Sequence, residues 1–225
     1  MNARGGRPRD VLRRAAGRAV RRAWAVAADV GTIRSGDSGA RRFRSFGTDA
    51  CVVFPWTALY GERWMRIGDD TIVGPNCALS VGMSPGQEML SEVVLDIGSR
   101  CLIGRGSSIV AHFEVVIEDD VVTGPGVYIT DQNHDYSDPE RPIGEGSTPE
   151  RPVRVGRGSW LGAGVVVLPG VTIGPHVTVA ANAVVTRDLP GHVVAAGVPA
   201  RIVRRYDGDG WAGVDRAEED GRGAG

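Results

Sequence analysis

The sequence contains no lysine: all 26 of its basic residues are arginine. Against 27 acidic residues they leave a net charge of −1, so the whole molecule has no marked attraction for nucleic acids. The three cysteines are an odd number without CxxC spacing, and we expect Cys77 and Cys101 to be buried, inert thiols in a reducing cytoplasm. No apolar run approaches the ~20 residues that a membrane span needs. The basic N-terminus lacks the apolar segment of a signal peptide.

What the sequence does contain is a six-residue repeat, which the 33 glycines accompany. An aliphatic residue recurs every six positions at Val155, Leu161, Val167, Ile173, Val179 and Val185. Upstream the same spacing holds within three groups: Ile67, Val73, Leu79; Ile97, Ile103, Ile109; and Ile117, Thr123, Ile129. Helices and simple strands do not repeat every six residues, whereas a parallel β-helix does. The repeat predicts an all-β domain with these residues pointing inward, and turn conformations for the glycines that follow many of them.

Two interruptions of the repeat predict loops that leave the coil. One lies between Leu79 and Ile97, and the other is TDQNHDYSDPERPIGEGSTPERP, residues 130–152. The prolines and glycines of the second prevent regular strand pairing, and loops on rigid scaffolds commonly carry function. The predicted organisation is an arm and linker over residues 1–47, the β-helix over 48–205, and a disordered tail over 206–225.

The first 30 residues predict an amphipathic helix. Its apolar residues are Val11, Leu12, Ala15, Ala16, Ala19, Val20, Ala23, Trp24 and Ala27, and its basic residues are Arg13, Arg14, Arg18, Arg21 and Arg22. Two interpretations stay open. In the first, the helix lies on an anionic membrane, as a peripheral contact at its inner face, or docks near an anionic acceptor. In the second, it packs its alanine-rich face against its own domain or a sister subunit.

Residues 60–205 resemble the hexapeptide-repeat acyltransferases, in particular the galactoside, maltose and polysaccharide O-acetyltransferases. Besides the repeats, the resemblance is carried by TDQNHDYSDPERPI, WLGAGVVVLPGVTIG and AAGVPARIVR. It implies a left-handed parallel β-helix and a homotrimer with active sites between neighbouring subunits. It also implies transfer of an acetyl group from acetyl-CoA to a hydroxyl of a sugar or glycan, with no metal.

The resemblance places the catalytic base at His134, in DQNHDY. A free hydroxyl is a poor nucleophile, and imidazole is the side chain whose ordinary pKa suits removal of its proton near neutral pH. His112 lies near the position where the family contacts the acceptor, and an inter-coil structural role is the alternative. Asn133 is the best candidate among the polar neighbours of His134 for an acceptor contact, against a turn-forming role. Trp160 is expected to face the cleft near the acyl end or to cover the trimer seam.

For acetyl-CoA, the resemblance implies two kinds of contact. Small residues at Ala163 and Ala181 leave room for the pantetheine arm along the coil edge, and Thr186 and Arg187 follow at the end of the last repeat. Arg201 and Arg204 match positions where relatives hold cations near the CoA phosphates, which suits the paired donors of guanidinium.

Several alternatives remain. The nearest is a transferase of another acyl group or one with an amine acceptor. A γ-carbonic anhydrase-like enzyme shares the β-helix but needs three histidines on zinc, and no closely spaced histidine pair like that family's occurs in the sequence. A non-catalytic scaffold is disfavoured by His134 and its loop. The first 60 residues depart from the sugar-binding region of the galactoside and maltose enzymes, so the acceptor is not carried over.

Overall fold

The computed structural model describes residues 8–146 and 148–214. An N-terminal helix, α1 (Pro8–Gly31), precedes a domain of short strands that form three sheets. Short 3-10 helices occur at Ala40–Arg42, Glu62–Trp64 and Ile143–Glu145. In the described part of the chain, no helix is both long enough and apolar enough to cross a membrane.

The sheets are named A, B and C. Sheet A contains, in spatial order, β1 (Ile33–Arg34), β3 (Cys51–Val52), β6 (Ile72–Val73), β9 (Leu102–Ile103), β12 (Val122–Thr123), β15 (Trp160–Leu161), β18 (Thr178–Val179), β20 (Val193–Ala196), β21 (Arg201–Tyr206) and β22 (Trp211–Gly213). Sheet B contains β2 (Ser45–Phe46), β5 (Met65–Ile67), β8 (Leu95–Ile97), β11 (Val115–Ile117), β14 (Val153–Val155) and β17 (Thr172–Ile173). Sheet C contains β4 (Ala58–Tyr60), β7 (Ala78–Val81), β10 (Ser108–Ala111), β13 (Tyr128–Thr130), β16 (Val166–Val167) and β19 (Val184–Val185).

From β2 to β19 the chain visits sheets B, A and C in turn, and each strand pairs in parallel with the equivalent strand of the next coil. The result is a parallel β-helix with three edges, which we call the B–A, A–C and C–B corners after the sheets they join. The two ends of the described chain depart from parallel pairing: β1 is antiparallel to β3, and β20, β21 and β22 pair with one another as an antiparallel cap.

The repeat residues form the core, as the sequence predicts. Each of them is at most 4% exposed, and they stack in register between coils, as Ile67, Ile97 and Ile117 do in sheet B. Where the repeat continues without interruption, the residues four positions later, such as Ser159 and Val165, are buried as well. Stacked aliphatic side chains therefore fill the prism interior.

The glycines that follow the repeat residues have a different role from the one predicted. At Gly162 the φ angle is not positive, but an added Cβ would lie 2.6 Å from the backbone nitrogen of Ala181 in the next coil. Positive φ occurs instead three positions after the repeat residue, for example at Asp70, Asp120 and Asn182. The first position thus needs glycine for close approach of the coils, and the later one carries the turn.

The predicted boundaries need two corrections. Residues 31–47 are not a free linker, because Ile33, Ala40 and Phe43 are buried and β2 already belongs to the first coil. Part of the predicted disordered tail is ordered, since β22 pairs with β21. The remainder of that prediction, residues 215–225, lies outside the described residues, as do residues 1–7 of the predicted arm.

Candidate active site

The C–B corner carries the irregular segments of the coil. Residues 82–94 connect β7 to β8, residues 112–114 connect β10 to β11, and residues 131–152 connect β13 to β14. Because β7, β10 and β13 are neighbours in sheet C, the three segments stack on one edge of the prism. The two predicted loops are thereby confirmed as excursions from the coil, and they meet at the same place.

Asp131 joins two of these segments. Its side chain is fully buried, and its carboxylate accepts hydrogen bonds from the backbone N–H groups of His112 (2.9 and 3.0 Å), Phe113 (2.7 Å) and Glu114 (2.8 Å). A carboxylate that satisfies three buried or partly buried N–H groups fixes the turn that presents His112. Asp131 is therefore a structural residue of the corner rather than a partner of the neighbouring imidazole.

His134 lies exposed on the long loop, and its ring is held by a backbone carbonyl. Nδ1 is 3.3 Å from the carbonyl oxygen of Gly146. When Nδ1 donates its proton to that oxygen, the lone pair of the neutral ring is on Nε2, which is the atom free to accept a proton. Backbone hydrogen bonds hold the two ends of the loop together. The Thr148 N–H donates to the Asn133 carbonyl, and the Arg151 N–H donates to the Asp131 carbonyl.

The side chains next to His134 serve the loop itself. Asn133 accepts the His134 backbone N–H through its Oδ1 at 2.9 Å, a turn-forming contact. Hydrogen bonds from the backbone and side chain of Ser137 lower the pKa of Asp135, and Arg141 lies 3.7 Å from its carboxylate. Asp135, the residue after His134, is therefore ionised, and its negative charge interacts with Ser137 and Arg141 of the loop.

A cavity of about 210 Å³ lies between the first loop and the long loop. Its lining includes Gln87, Met89, Val94, His112, Phe113 and Glu150. His112 is buried, with its Nδ1 3.7 Å from Oε1 of Glu150, while Phe113 is nearly half exposed. A polar pair beside an apolar and aromatic wall is the lining that binds a hydroxylated ring in proteins.

The residues predicted to hold acetyl-CoA do not all lie on one edge. Ala163 and Ala181 stack on the A–C corner, where the Asn182 N–H donates to the Ala163 carbonyl at 2.8 Å. Thr186 and Arg187 follow β19 and are exposed at the C–B corner, the edge from which the His134 loop leaves.

The two predicted phosphate contacts lie on the antiparallel cap. Arg201 is opposite Ala196 and donates from Nη1 to the Ala200 carbonyl at 3.0 Å, while Arg204 is exposed opposite Val194. The Ala200 N–H donates to the Val184 carbonyl, which brings the start of β21 to the A–C corner.

Trp160 projects from sheet A and is 53% exposed. It extends an outward row formed by Ile72, Leu102 and Val122, which occupy successive coils in register. Sheet B differs, since its outer face carries ion pairs such as Arg66–Asp96 and Arg154–Glu118. Within one chain Trp160 is near Ala163 but lies on another face of the prism than the His112 cavity.

The remaining histidines, His176 and His192, are exposed at the B–A corner. Their rings stack with centroids 5.3 Å apart, a contact between residues 16 positions apart in sequence. No cluster of three or more potential metal ligands occurs among residues 8–146 and 148–214.

Sequence reasoning missed Glu150 and the role of Asp131. Both lie in or beside a segment without periodicity. The partner of Glu150 is 38 residues away in sequence, and the partners of Asp131 are 17 to 19 residues away. Charge was the available signal for Asp131, because a carboxylate at the end of a buried strand needs donors. No sequence signal identified the pairing of Glu150 with His112.

Comparison with known proteins completes this description. Residues 152–187 match the family described as bacterial transferase hexapeptide (six repeats), and residues 94–131 match the hexapeptide repeat of succinyl-transferase. Galactoside O-acetyltransferase of Escherichia coli is 32% identical over 150 residues, covering 67% of this chain and 68% of that protein. The Lactococcus lactis galactoside O-acetyltransferase is 31% identical over 153 residues, covering 59% of this chain and 73% of that protein.

Among solved structures, AntD, an N-acyltransferase from Bacillus cereus in complex with dTDP and 3-hydroxybutyryl-CoA, is similar with a TM-score of 0.62. The two share 20% sequence identity, and the match covers 76% of this chain and 89% of that one. Together with the three parallel sheets and the matched repeats, this likeness confirms the predicted left-handed parallel β-helix.

Proposed function

Because the chain belongs to the hexapeptide-repeat acyltransferases, we propose that it transfers an acetyl group from acetyl-CoA to a hydroxyl of a sugar or glycan. Two relatives above 30% identity, matched over 68% and 73% of their own length, are galactoside O-acetyltransferases. AntD acts on nitrogen, but at 20% identity it bears on the fold alone. The use of acetyl-CoA would place the reaction in the cytoplasm.

The observation that carries the proposal is the way His134 is held. With Nδ1–H donated to Gly146, Nε2 takes the proton of the acceptor hydroxyl while the hydroxyl oxygen attacks the thioester carbonyl. The C–S bond then breaks, and the CoA thiolate receives the proton from the imidazolium. The ring ends each cycle neutral, so one imidazole serves as base and then as acid.

The cavity beside the loop is the proposed acceptor site. The carboxylate of Glu150 accepts hydrogen bonds from sugar hydroxyls, His112 supplies a further polar contact, and Phe113 offers its face to the ring carbons. Asn133, whose side chain holds the loop, acts here by positioning His134. Of the two carboxylates in the lining, that of Glu88 pairs with Arg63 at 2.9 Å, and that of Glu150 supplies negative charge that favours an acceptor without phosphate groups.

The placement of the two half-sites supports a homotrimer. His134 leaves the C–B corner, whereas Ala163 and Ala181 lie on the A–C corner of the same prism. A site that contains both is completed when the C–B edge of one subunit faces the A–C edge of the next. The outward row of Ile72, Leu102, Val122 and Trp160 supplies apolar surface for such a seam. Arg201 and Arg204 then bind the CoA phosphates, and Thr186 and Arg187 line the far end.

Acetyl transfer is tested with purified protein, acetyl-CoA and a panel of sugars and amino sugars. Release of the CoA thiol reports the reaction, and mass spectrometry of the acceptor distinguishes an ester from an amide. We expect His134→Ala to slow transfer by about 10²–10⁴-fold, the usual contribution of a general base. His176→Ala, a matched change on the B–A corner, should leave the rate unchanged.

Equal rates for the two histidine variants would refute the role of His134. Turnover of amino sugars with no turnover of any hydroxyl acceptor would replace O-transfer by N-transfer, with the same base. An absence of thiol release with every acceptor, while the protein still binds acetyl-CoA, would favour a different acyl group or a scaffold.

A further inference from the structure

Helix α1 stands away from the β-helix. From Arg9 to Val30, every side chain that the structure describes is exposed apart from Gly17 and Ala28. The contact with the body is at Trp24, whose ring lies 6.5 Å from that of Phe54. The interpretation in which the helix packs its alanine-rich face on its own domain is therefore wrong.

An apolar stripe runs along the free side of the helix. Leu12, Ala16, Ala19, Ala23, Val26 and Val30 follow one another at spacings of four and three residues, which keeps them on one face. Leu12 is 70% exposed and Val30 is 78% exposed. At 100° per residue, Trp24 points about 120° away from the centre of this stripe, so the body does not cover it.

The opposite side of the helix is basic. Arg14, Arg18 and Arg21 lie about 120–180° from the centre of the stripe, and Arg9, Arg13 and Arg22 flank it at about 60–100°. Among the described residues no carboxylate forms an ion pair with any of these six arginines. The helix contains two acidic residues, Asp10 and Asp29, and Asp29 already pairs with Arg34 at 2.7 Å.

These observations discriminate between the two occupants that the spacing allows. A bundle of sister helices would bury three alanines among its six seam positions, which are poor knobs, and would bring unpaired arginines together. An anionic lipid surface instead accepts the stripe at the level of the acyl chains and neutralises the arginines with headgroups. A nucleic acid would pair with the arginines but leave the stripe in water.

We propose that α1 is a membrane-docking helix, which lies in the surface of an anionic bilayer and holds the catalytic domain beside it. The apolar stripe enters the bilayer, the flanking arginines extend to the phosphates, and the Trp24–Phe54 contact fixes the helix to the first coil. This proposal does not depend on the reaction proposed above.

The test is co-sedimentation of the full chain with vesicles. Vesicles of phosphatidylcholine and phosphatidylglycerol should bind it, vesicles of phosphatidylcholine alone should not, and added salt should weaken binding. One arginine near an anionic surface contributes about five-fold in affinity, so combined Arg9→Gln, Arg13→Gln and Arg22→Gln, which removes the flanking charges, should lose about a hundred-fold.

The matched control removes the same charge from sheet B and the adjoining B–A corner, with Arg66→Gln, Arg154→Gln and Arg157→Gln, and should bind nearly as the unchanged protein does. Equal loss in both triple variants, or binding that ignores lipid charge, would overturn the proposal. Leu12→Ser with Val26→Ser should also abolish vesicle binding while sedimentation velocity shows the same oligomer. A change of oligomer in that variant would assign the stripe to sister helices instead.

Discussion

Asp131→Ala is the substitution that most directly joins the fold to the proposed acceptor site. The carboxylate accepts three backbone N–H groups at 2.7–3.0 Å, and each hydrogen bond to a charged group contributes about 1.5–3 kcal/mol. If all three N–H groups lost their acceptor and found no other, the free-energy cost would be too large for the turn to persist. Phe113 is nearly half exposed, so water replaces part of the loss, and we expect a destabilisation of about 3–5 kcal/mol.

For a chain of this size, that free energy lowers the midpoint of thermal unfolding by about 10 °C. The turn that carries His112 and Phe113 also loses its anchor, so the KM for the acceptor should rise while the KM for acetyl-CoA changes little. Calorimetry and initial rates measure the two effects. Asp138→Ala is the matched control, because Asp138 lies exposed in the same loop and accepts a backbone N–H from Glu140. Equal midpoints for the two variants would refute the structural role of Asp131.

Two further predictions test other parts of the molecule. Gly162→Ala should lower the midpoint of thermal unfolding, because the added Cβ would lie 2.6 Å from the Ala181 nitrogen. Gly144→Ala is the control and should leave the midpoint unchanged, since its Cβ would meet open space. Equal midpoints by calorimetry would contradict the close-approach role of the glycines that follow the repeat residues. Arg204→Glu should raise the KM for acetyl-CoA about tenfold or more without changing the oligomer, because a charge-assisted contact to phosphate becomes a repulsion; an unchanged KM would remove Arg204 from the phosphate site.

The repeat made the β-helix predictable because successive coils of equal length place their inward residues at equal spacings in the sequence. The six-residue repeat does not extend to the first coil because its inward residues, Phe46, Val52 and Leu59, are unevenly spaced: Val52 and Leu59 are seven positions apart. The segment before it is rich in glycine, serine and arginine, the composition of a linker. Its buried residues are held by contacts with sheet A that composition does not encode.

The candidate site was predictable only where the contacts of a side chain lie close to it in the sequence. His134 was identified from its loop sequence, and its Nδ1 contact with Gly146 spans twelve residues of that loop. Glu150 and His112 meet because two excursions leave the same corner in adjacent coils, which follows from the coil geometry and from no property of either residue. The division of the residues predicted to bind acetyl-CoA between two corners was likewise visible only once the sheets were assigned.

The central claim is that one active site takes His134 from one subunit and Ala163 and Ala181 from its neighbour. Co-expression of differently tagged His134→Ala and Ala181→Trp chains, followed by purification on both tags, tests it directly. Each mixed trimer contains one seam with an intact His134 opposite an intact Ala181, so it should recover about one-third of the unchanged protein's rate, although neither variant is active alone. Mixed trimers as inactive as their parents would contradict a shared site.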